Sequence, residues 1–432
     1  MSPLPMKKIL LVGGAVLLLA AGAARLLLWP ADDSGAPAAA ATLAPAALVA
    51  RGAYLARAGD CMACHTTRGG AAYAGGRALQ TPFGSVVSPN ITSDKQHGIG
   101  AWSADDFWRA LHNGKSKDGR MLYPAFPYTE YTKVRREDAD AMYAFFQSVP
   151  AQPKANQPHR LRFPYNQQIA LAAWRALFFK PAVFRPEPAR GAEWNRGAYL
   201  VQGLGHCASC HSSRNPLGAS DGDLSGGLIP VLGWYAPSLT SDAEAGLGDW
   251  DAGHIAQLLK TGVSPRASVF GPMAEVVRAS LQHLDDADIQ AMAAYLKSLP
   301  GPAAPAPAPP APPDTSAAAQ AQLAAGATLY ESHCVECHQA DGRGQPTAYP
   351  PLAGNRALTM EEAVNPIRIV LNGGFAPGTA GNPRPYGMPA YGPLLSDADV
   401  AAVVTYLRRS WGNQADAVSA LEVNRYRGVP LD

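Results

Sequence analysis

Six cysteines occur in this 432-residue chain, and all six fall into three pairs of one spacing. The pairs are Cys61-Met-Ala-Cys64, Cys207-Ala-Ser-Cys210 and Cys334-Val-Glu-Cys337, each followed at once by a histidine: His65, His211 and His338. An even cysteine count in an exported chain first suggests disulfides, but this spacing points to other chemistry. In Cys-x-x-Cys-His the two thiols form thioethers with the two vinyl groups of a haem. The next residue, His, then lies under the iron as a nitrogen ligand. A redox dithiol needs no His after its second cysteine. A zinc site needs four ligands, which here would have to come from two distant pairs. Three copies at domain-like intervals, consuming every cysteine, predict three covalently bound c-type haems.

A haem that carries electrons usually takes a second axial ligand from the protein, often Met, which raises its potential. That ligand is expected downstream of each pair, in a loop beside Pro rather than on an apolar helix face, where Met is more often a core filler. Met273 in Phe270-Gly-Pro-Met and Met388 in Tyr386-Gly-Met-Pro fit the second and third units. In the first unit Met121 is the nearest candidate and is placed slightly ahead of His112, with an open sixth position as the third alternative. Met142 and Met292 read as core residues. His97, His159, His206, His254, His283 and His333 read as surface or loop residues.

The elements that must position these groups repeat along the chain. Arg51-Gly-Ala-Tyr-Leu precedes the first pair, Arg196-Gly-Ala-Tyr-Leu the second, and the looser Ala325-Gly-Ala-Thr-Leu the third. Pro89-Asn-Ile-Thr-Ser-Asp recurs as Pro237-Ser-Leu-Thr-Ser-Asp. Each unit closes on a helical pattern, over 138–148, 286–298 and 397–410. The last starts with Ser396 as an N-cap and Asp397 and Asp399 in the first turn. Strand patterns are scarce. The fold class read from these patterns is all-α, with three tandem haem domains over 47–150, 191–300 and 316–432. Linkers occupy 31–46 and the Pro/Ala-rich 301–315. A connecting segment, 151–190, carries the apolar stretch from Ile169 to Lys180, including Trp174 and Phe178. It reads first as an inter-domain helix and second as a docking or membrane-interface surface.

Net charge is +2, from 36 Lys+Arg against 34 Asp+Glu, which gives no basic stripe and no nucleic-acid partner. At the N-terminus Lys7 and Lys8 precede an apolar run from Ile9 to Trp29, long enough to cross a bilayer core. Residues 1–30 therefore read as an uncleaved membrane anchor in preference to a signal peptide cleaved near Ala20–Ala24. Either reading places the remainder on the periplasmic side. No nucleotide-binding Gly-rich fingerprint, Ser-His-Asp set or carboxylate cluster is visible, so substrate chemistry is not expected of this chain alone.

With these residues in view, the chain resembles the triple-haem cytochrome c subunits of bacterial membrane-bound dehydrogenases for alcohols, gluconate and related sugar acids, or aldehydes. The resemblance rests on the three motifs and their spacing, on Asn90-Ile-Thr-Ser-Asp, on Leu122-Tyr-Pro-Ala-Phe-Pro-Tyr, and on Tyr406-Leu-Arg-Arg-Ser-Trp-Gly-Asn. It implies an electron-transfer subunit, not catalytic alone. The implied donor is a flavin, quinone or molybdenum dehydrogenase subunit, and the implied acceptor is ubiquinone or a downstream cytochrome or oxidase. The alternatives are a carrier feeding a terminal oxidase without a dehydrogenase, and a haem peroxidase at the first haem. Many relatives have Met where this chain has Phe126 and use it as the first haem's ligand. The departure implies a branch serving a different partner, such as a molybdenum-containing aldehyde or N-heterocycle oxidase.

Overall fold

The structure, a computed structural model, describes residues 44–242, 246–301 and 315–430. The expected anchor over 1–30 and nearly all of the two linkers lie outside the described residues. Among the described residues no helix is long and apolar enough to cross a membrane.

Each unit is opened and closed by a helix. The first contains α1 (Pro45–Ala58), α2 (Cys61–His65), α3 (Ala104–Asn113) and α4 (Arg136–Ser148). A connecting helix, α5 (Gln168–Phe178), follows. The second unit contains α6 (Ala192–Tyr199), α7 (Ala208–His211), α8 (Ala252–Thr261), α9 (Pro272–Ala279) and α10 (Asp286–Lys297). The third contains α11 (Ala317–His333), α12 (Val335–His338), α13 (Val364–Asn372), α14 (Asp397–Arg409) and α15 (Ala420–Arg427). The closing helix α14 starts where the sequence placed it. The Ser396 side chain accepts from the Asp399 N–H while the Asp399 carboxylate accepts from the Ser396 N–H, an arrangement worth about 1 kcal/mol.

The helical architecture carries three small antiparallel ladders that the all-α reading did not include. They are β1 (Ala78–Thr81) with β2 (Gly84–Val87) and β3 (Arg160–Leu161), β4 (Gly227–Ile229) with β5 (Trp234–Ala236), and β6 (Gly374–Phe375) with β7 (Gly387–Met388). Strands this short show no period-2 signal, because two to four residues in a Gly/Pro-rich loop are too few to alternate.

The repeated Arg-Gly-Ala-Tyr-Leu has a separate physical reason at each position. Opening and closing helices cross at the glycine. A Cβ on Gly52 would lie 1.9 Å from the Ala141 carbonyl oxygen, one on Gly197 1.9 Å from that of Ala291, and one on Gly326 2.3 Å from that of Ala402. The arginine before the glycine clamps its own closing helix: Arg51 donates twice to Asp138 and Arg196 twice to Asp288. The tyrosine crosses to the other unit. Tyr54 donates to Asp288 at 2.5 Å, and Tyr199 donates to Asp138 at 2.5 Å. Two units are thereby joined by a reciprocal pair of bonds, one buried and one partly buried, and their apolar cores merge into one cluster that includes Leu55, Met142, Leu200, Leu204 and Met292. The third unit keeps Gly326 but has Ala325 and Thr328 where the arginine and tyrosine stand. It has its own core around Val400, Val404 and Ile367. It docks on β5 through Asn365, whose side-chain amide accepts from the Tyr235 N–H at 2.9 Å and donates to the Tyr235 carbonyl at 2.8 Å.

The connecting segment packs as an inter-domain helix. Leu171, Ala172 and Arg175 of α5 are buried, and Arg175 donates to the Asn113 carbonyl at 2.6 Å. Trp174 donates to the Leu217 carbonyl in the second unit. Ile169 and Leu177, on the other face, are exposed.

Candidate haem-binding sites

Each Cys-x-x-Cys-His segment forms one short helix, α2, α7 or α12, that begins within a residue of its first cysteine and ends at its histidine. In all three the histidine ring is held by a carbonyl from a distant loop. His65 Nδ1 lies 2.7 Å from the Pro89 oxygen, His211 Nδ1 2.7 Å from that of Pro237, and His338 Nδ1 3.1 Å from that of Pro350. A carbonyl only accepts, so Nδ1 carries the proton and Nε2 keeps its lone pair for a metal. Burial works in the same direction. It lowers the pKa of His65 and His338 and brings that of His211 down to about 4, so each ring is neutral.

The cysteines behave as attachment points. Burial pushes Cys61, Cys64 and Cys207 up to about 12 and Cys334 to about 11. A redox dithiol requires the opposite shift. All six cysteines are unpaired, and among the described residues no three His, Cys, Asp or Glu side chains converge as a metal site. The zinc alternative would have needed two pairs to meet, and they do not.

One cavity of about 2850 Å³, including its open mouth, runs through the second and third units. Cys207, Cys210, His211 and Met273 line it from the second unit. Cys334, Cys337, His338 and Met388 line it from the third. Most of the remaining wall is apolar, with Trp250, Leu258, Val269 and Ile369 among it. A porphyrin is a flat, largely apolar disc, so thiols, an oriented imidazole and a methionine around an apolar slot fit it. Met273 comes from the first turn of α9, started by Pro272. Met388 comes from β7.

This constellation of paired cysteines and carbonyl-oriented histidine, three times in one chain, matches a known family model. The description is Cytochrome c, and it matches residues 49–150, 195–300 and 323–411. The chain belongs to the cytochrome c family. It carries three covalently bound haems c, one in each unit. Similar proteins include the cytochrome c subunit of an alcohol dehydrogenase (quinone) of Gluconobacter oxydans. That protein is 39% identical over 89% of this chain and 84% of its own length. The cytochrome c subunit of a gluconate 2-dehydrogenase of Pantoea cypripedii is 41% identical over 88% of this chain and 90% of its own length. A nicotinate dehydrogenase subunit of Pseudomonas putida is 40% identical over 87% of this chain but only 31% of its own, much longer, sequence.

The first haem unit of this cytochrome differs on its distal side. Met121 is 3% exposed and sits in a small cluster with Leu171 and Ala172, apart from the core that Cys61 joins. The Gln168 side chain brackets its backbone, accepting from Met121 N–H and donating to Met121 C=O. His112 stacks on Trp108 at 4.6 Å, and its Nδ1 lies 2.9 Å from the Thr132 carbonyl oxygen. Its Nε2 is enclosed by protein without a hydrogen-bond partner. Phe126 packs on the joined core through Tyr131. Its ring lies 5.4 Å from that of Tyr131, whose hydroxyl donates to the Gly59 carbonyl two residues before Cys61.

Residues that the sequence alone did not single out complete the sites. The three prolines act through backbone carbonyls, and the repeated Pro89 and Pro237 segments were their only trace. His206, expected as a bland loop residue, lines the shared cavity and packs on Tyr131 of the first unit at 5.5 Å. Asp60 lines the same cavity from the first unit. Its carboxyl is held well above the usual range, by burial first and Glu275 second.

Proposed function

We propose that this cytochrome is the electron-transfer subunit of a dehydrogenase complex on the periplasmic face of a bacterial inner membrane. Its N-terminal apolar segment holds it to the bilayer as an anchor. A catalytic subunit of flavin, quinone or molybdenum type oxidises the substrate and delivers electrons. The cytochrome passes them to ubiquinone, or to a downstream cytochrome or oxidase. The observation that carries this reading is the similarity over all three haem units to cytochrome subunits named for alcohol and gluconate dehydrogenases.

The haem irons supply the one-electron chemistry when bound. The protein's part is to hold, orient and insulate them. His65, His211 and His338 would hold the irons through their Nε2 atoms, and Met273 and Met388 would supply a second ligand in the second and third units. The apolar walls keep water from the irons, which with Met ligation favours a raised potential. The second haem is the middle member of the relay. The first unit meets it where the Tyr131 ring lies 5.5 Å from that of His206, beside Cys207, and the second and third sites share one cavity.

The deciding experiment is gentle solubilisation of membranes, capture of this protein, and identification of the co-purifying subunit and its cofactor. A dehydrogenase whose substrate reduces all three haems is the expected result. Recovery with an oxidase, or with no substrate-linked reduction, would move the protein to the free-carrier reading.

A further inference from the structure

We infer that the first haem has no protein ligand on its distal side, and that its ferrous iron binds a small neutral ligand of the carbon monoxide or nitric oxide type. The inference rests on the ligand assignment above for the other two haems.

The first two units match residue by residue around this point. Gly114 and Gly262 both end the preceding helix in a left-handed conformation, at φ 58° and 81°. The Leu122 N–H donates to the Gly114 carbonyl at 2.8 Å, and the Val269 N–H donates to the Gly262 carbonyl at 2.9 Å. Counting on from these paired bonds, Phe126 stands where Met273 stands. A phenyl ring has no lone pair to offer iron.

Neither remaining candidate reaches the site. By the same matching Met121 corresponds to Ser268, five residues before the ligand position. Its side chain is committed to Leu171 and Ala172. His112 corresponds to Lys260, two residues before the left-handed glycine. Both act as struts to the segment that precedes the closing helix: His112 to the Thr132 carbonyl, Lys260 to the Leu284 carbonyl. The His112 Nε2 is buried without a hydrogen-bond partner, on a ring pinned between Trp108 and the Thr132 carbonyl. His206 faces the cavity of the other two units.

The class of ligand follows from the distal wall. The pocket's polarity and donors decide between binding and activation. Phe126 packs on the Tyr131 ring, whose hydroxyl is spent on the Gly59 carbonyl. Two aromatic rings, Phe126 and a Tyr131 whose hydroxyl is committed, suit a neutral diatomic.

The test uses the whole holoprotein with its haem content measured independently by extraction. Reduced under carbon monoxide, it is expected to bind one molecule per chain. Phe126→Met is expected to bring that to none and to add a further Met-to-iron charge-transfer band, with the haem count unchanged. Met121→Leu, which stays apolar where it is buried, is expected to leave the count at one. No carbon monoxide bound by the unaltered protein would overturn the inference. So would a binding site that appears only in Met121→Leu. Three molecules bound per chain would keep the first site open while overturning the assignment of Met273 and Met388.

Discussion

Pro89, Pro237 and Pro350 offer no side-chain chemistry, yet their carbonyls decide which nitrogen of each histidine faces the haem. The opposite ligand is where the three sites diverge. Met273→Ala is expected to open the second haem to carbon monoxide and to lower its potential by on the order of 0.1 V, within the ~0.8 V that axial ligation spans. Spectroelectrochemistry resolving three haems would measure it, and an unmoved potential would remove Met273 as a ligand. At this scale the attachment chemistry was fully legible, because Cys-x-x-Cys-His is a local pattern. The distal side was not. The loop between Gly114 and Phe126 is one residue longer than that between Gly262 and Met273, so counting from the helix-ending glycine lands one residue short, on Ala125. The nearest methionine, Met121, belongs to the packing of α5. The carbonyl partners were hidden for another reason: backbone groups leave no residue type to recognise.

Helix crossings explain what the repeated segments are for. Gly197→Val would drive its Cβ into the Ala291 carbonyl, 1.9 Å from where it must sit. Backbone cannot yield as a flexible side chain does. The expected cost is at least about 1–3 kcal/mol, seen as a lowered melting temperature with less haem incorporated into the first two units. The crossed tyrosines make a different prediction. Hydrogen bonds to charged groups contribute about 1.5–3 kcal/mol each. Tyr54→Phe with Tyr199→Phe should therefore destabilise the joined units by a few kcal/mol in denaturant titration while three haems are retained. The joint also responds to pH. Burial pushes the Asp288 carboxyl upward, but the Arg196 and Tyr54 bonds outweigh it and hold the carboxyl below its ordinary value. A depressed carboxylate stabilises the fold above its unfolded pKa, about 4, and that contribution is lost as pH falls through the folded value. Asp288→Asn should flatten this acid limb and lower stability at neutral pH. The opening and closing helices were legible from their caps and periodicity. The exchange of partners between units was not, because nothing in one repeat states that its tyrosine serves the other.

Over the whole molecule, three similar units are not three equal parts. The first two share one core and a reciprocal pair of bonds. The third has its own core and meets them through α13 and one cavity. Residues 316–432 made alone are therefore expected to take up one haem, whereas residues 47–150 made alone should not fold stably. Haem staining after separate expression would check both, and a stable isolated first unit would contradict the merged core. The cavity spanning the second and third units carries a consequence for biogenesis. Covalent attachment needs each pair of thiols to meet a free porphyrin edge. Once α13 has closed on β5, the two attachment sites face one shared cavity, so loading each pair of thiols before docking would leave its porphyrin edge free to enter.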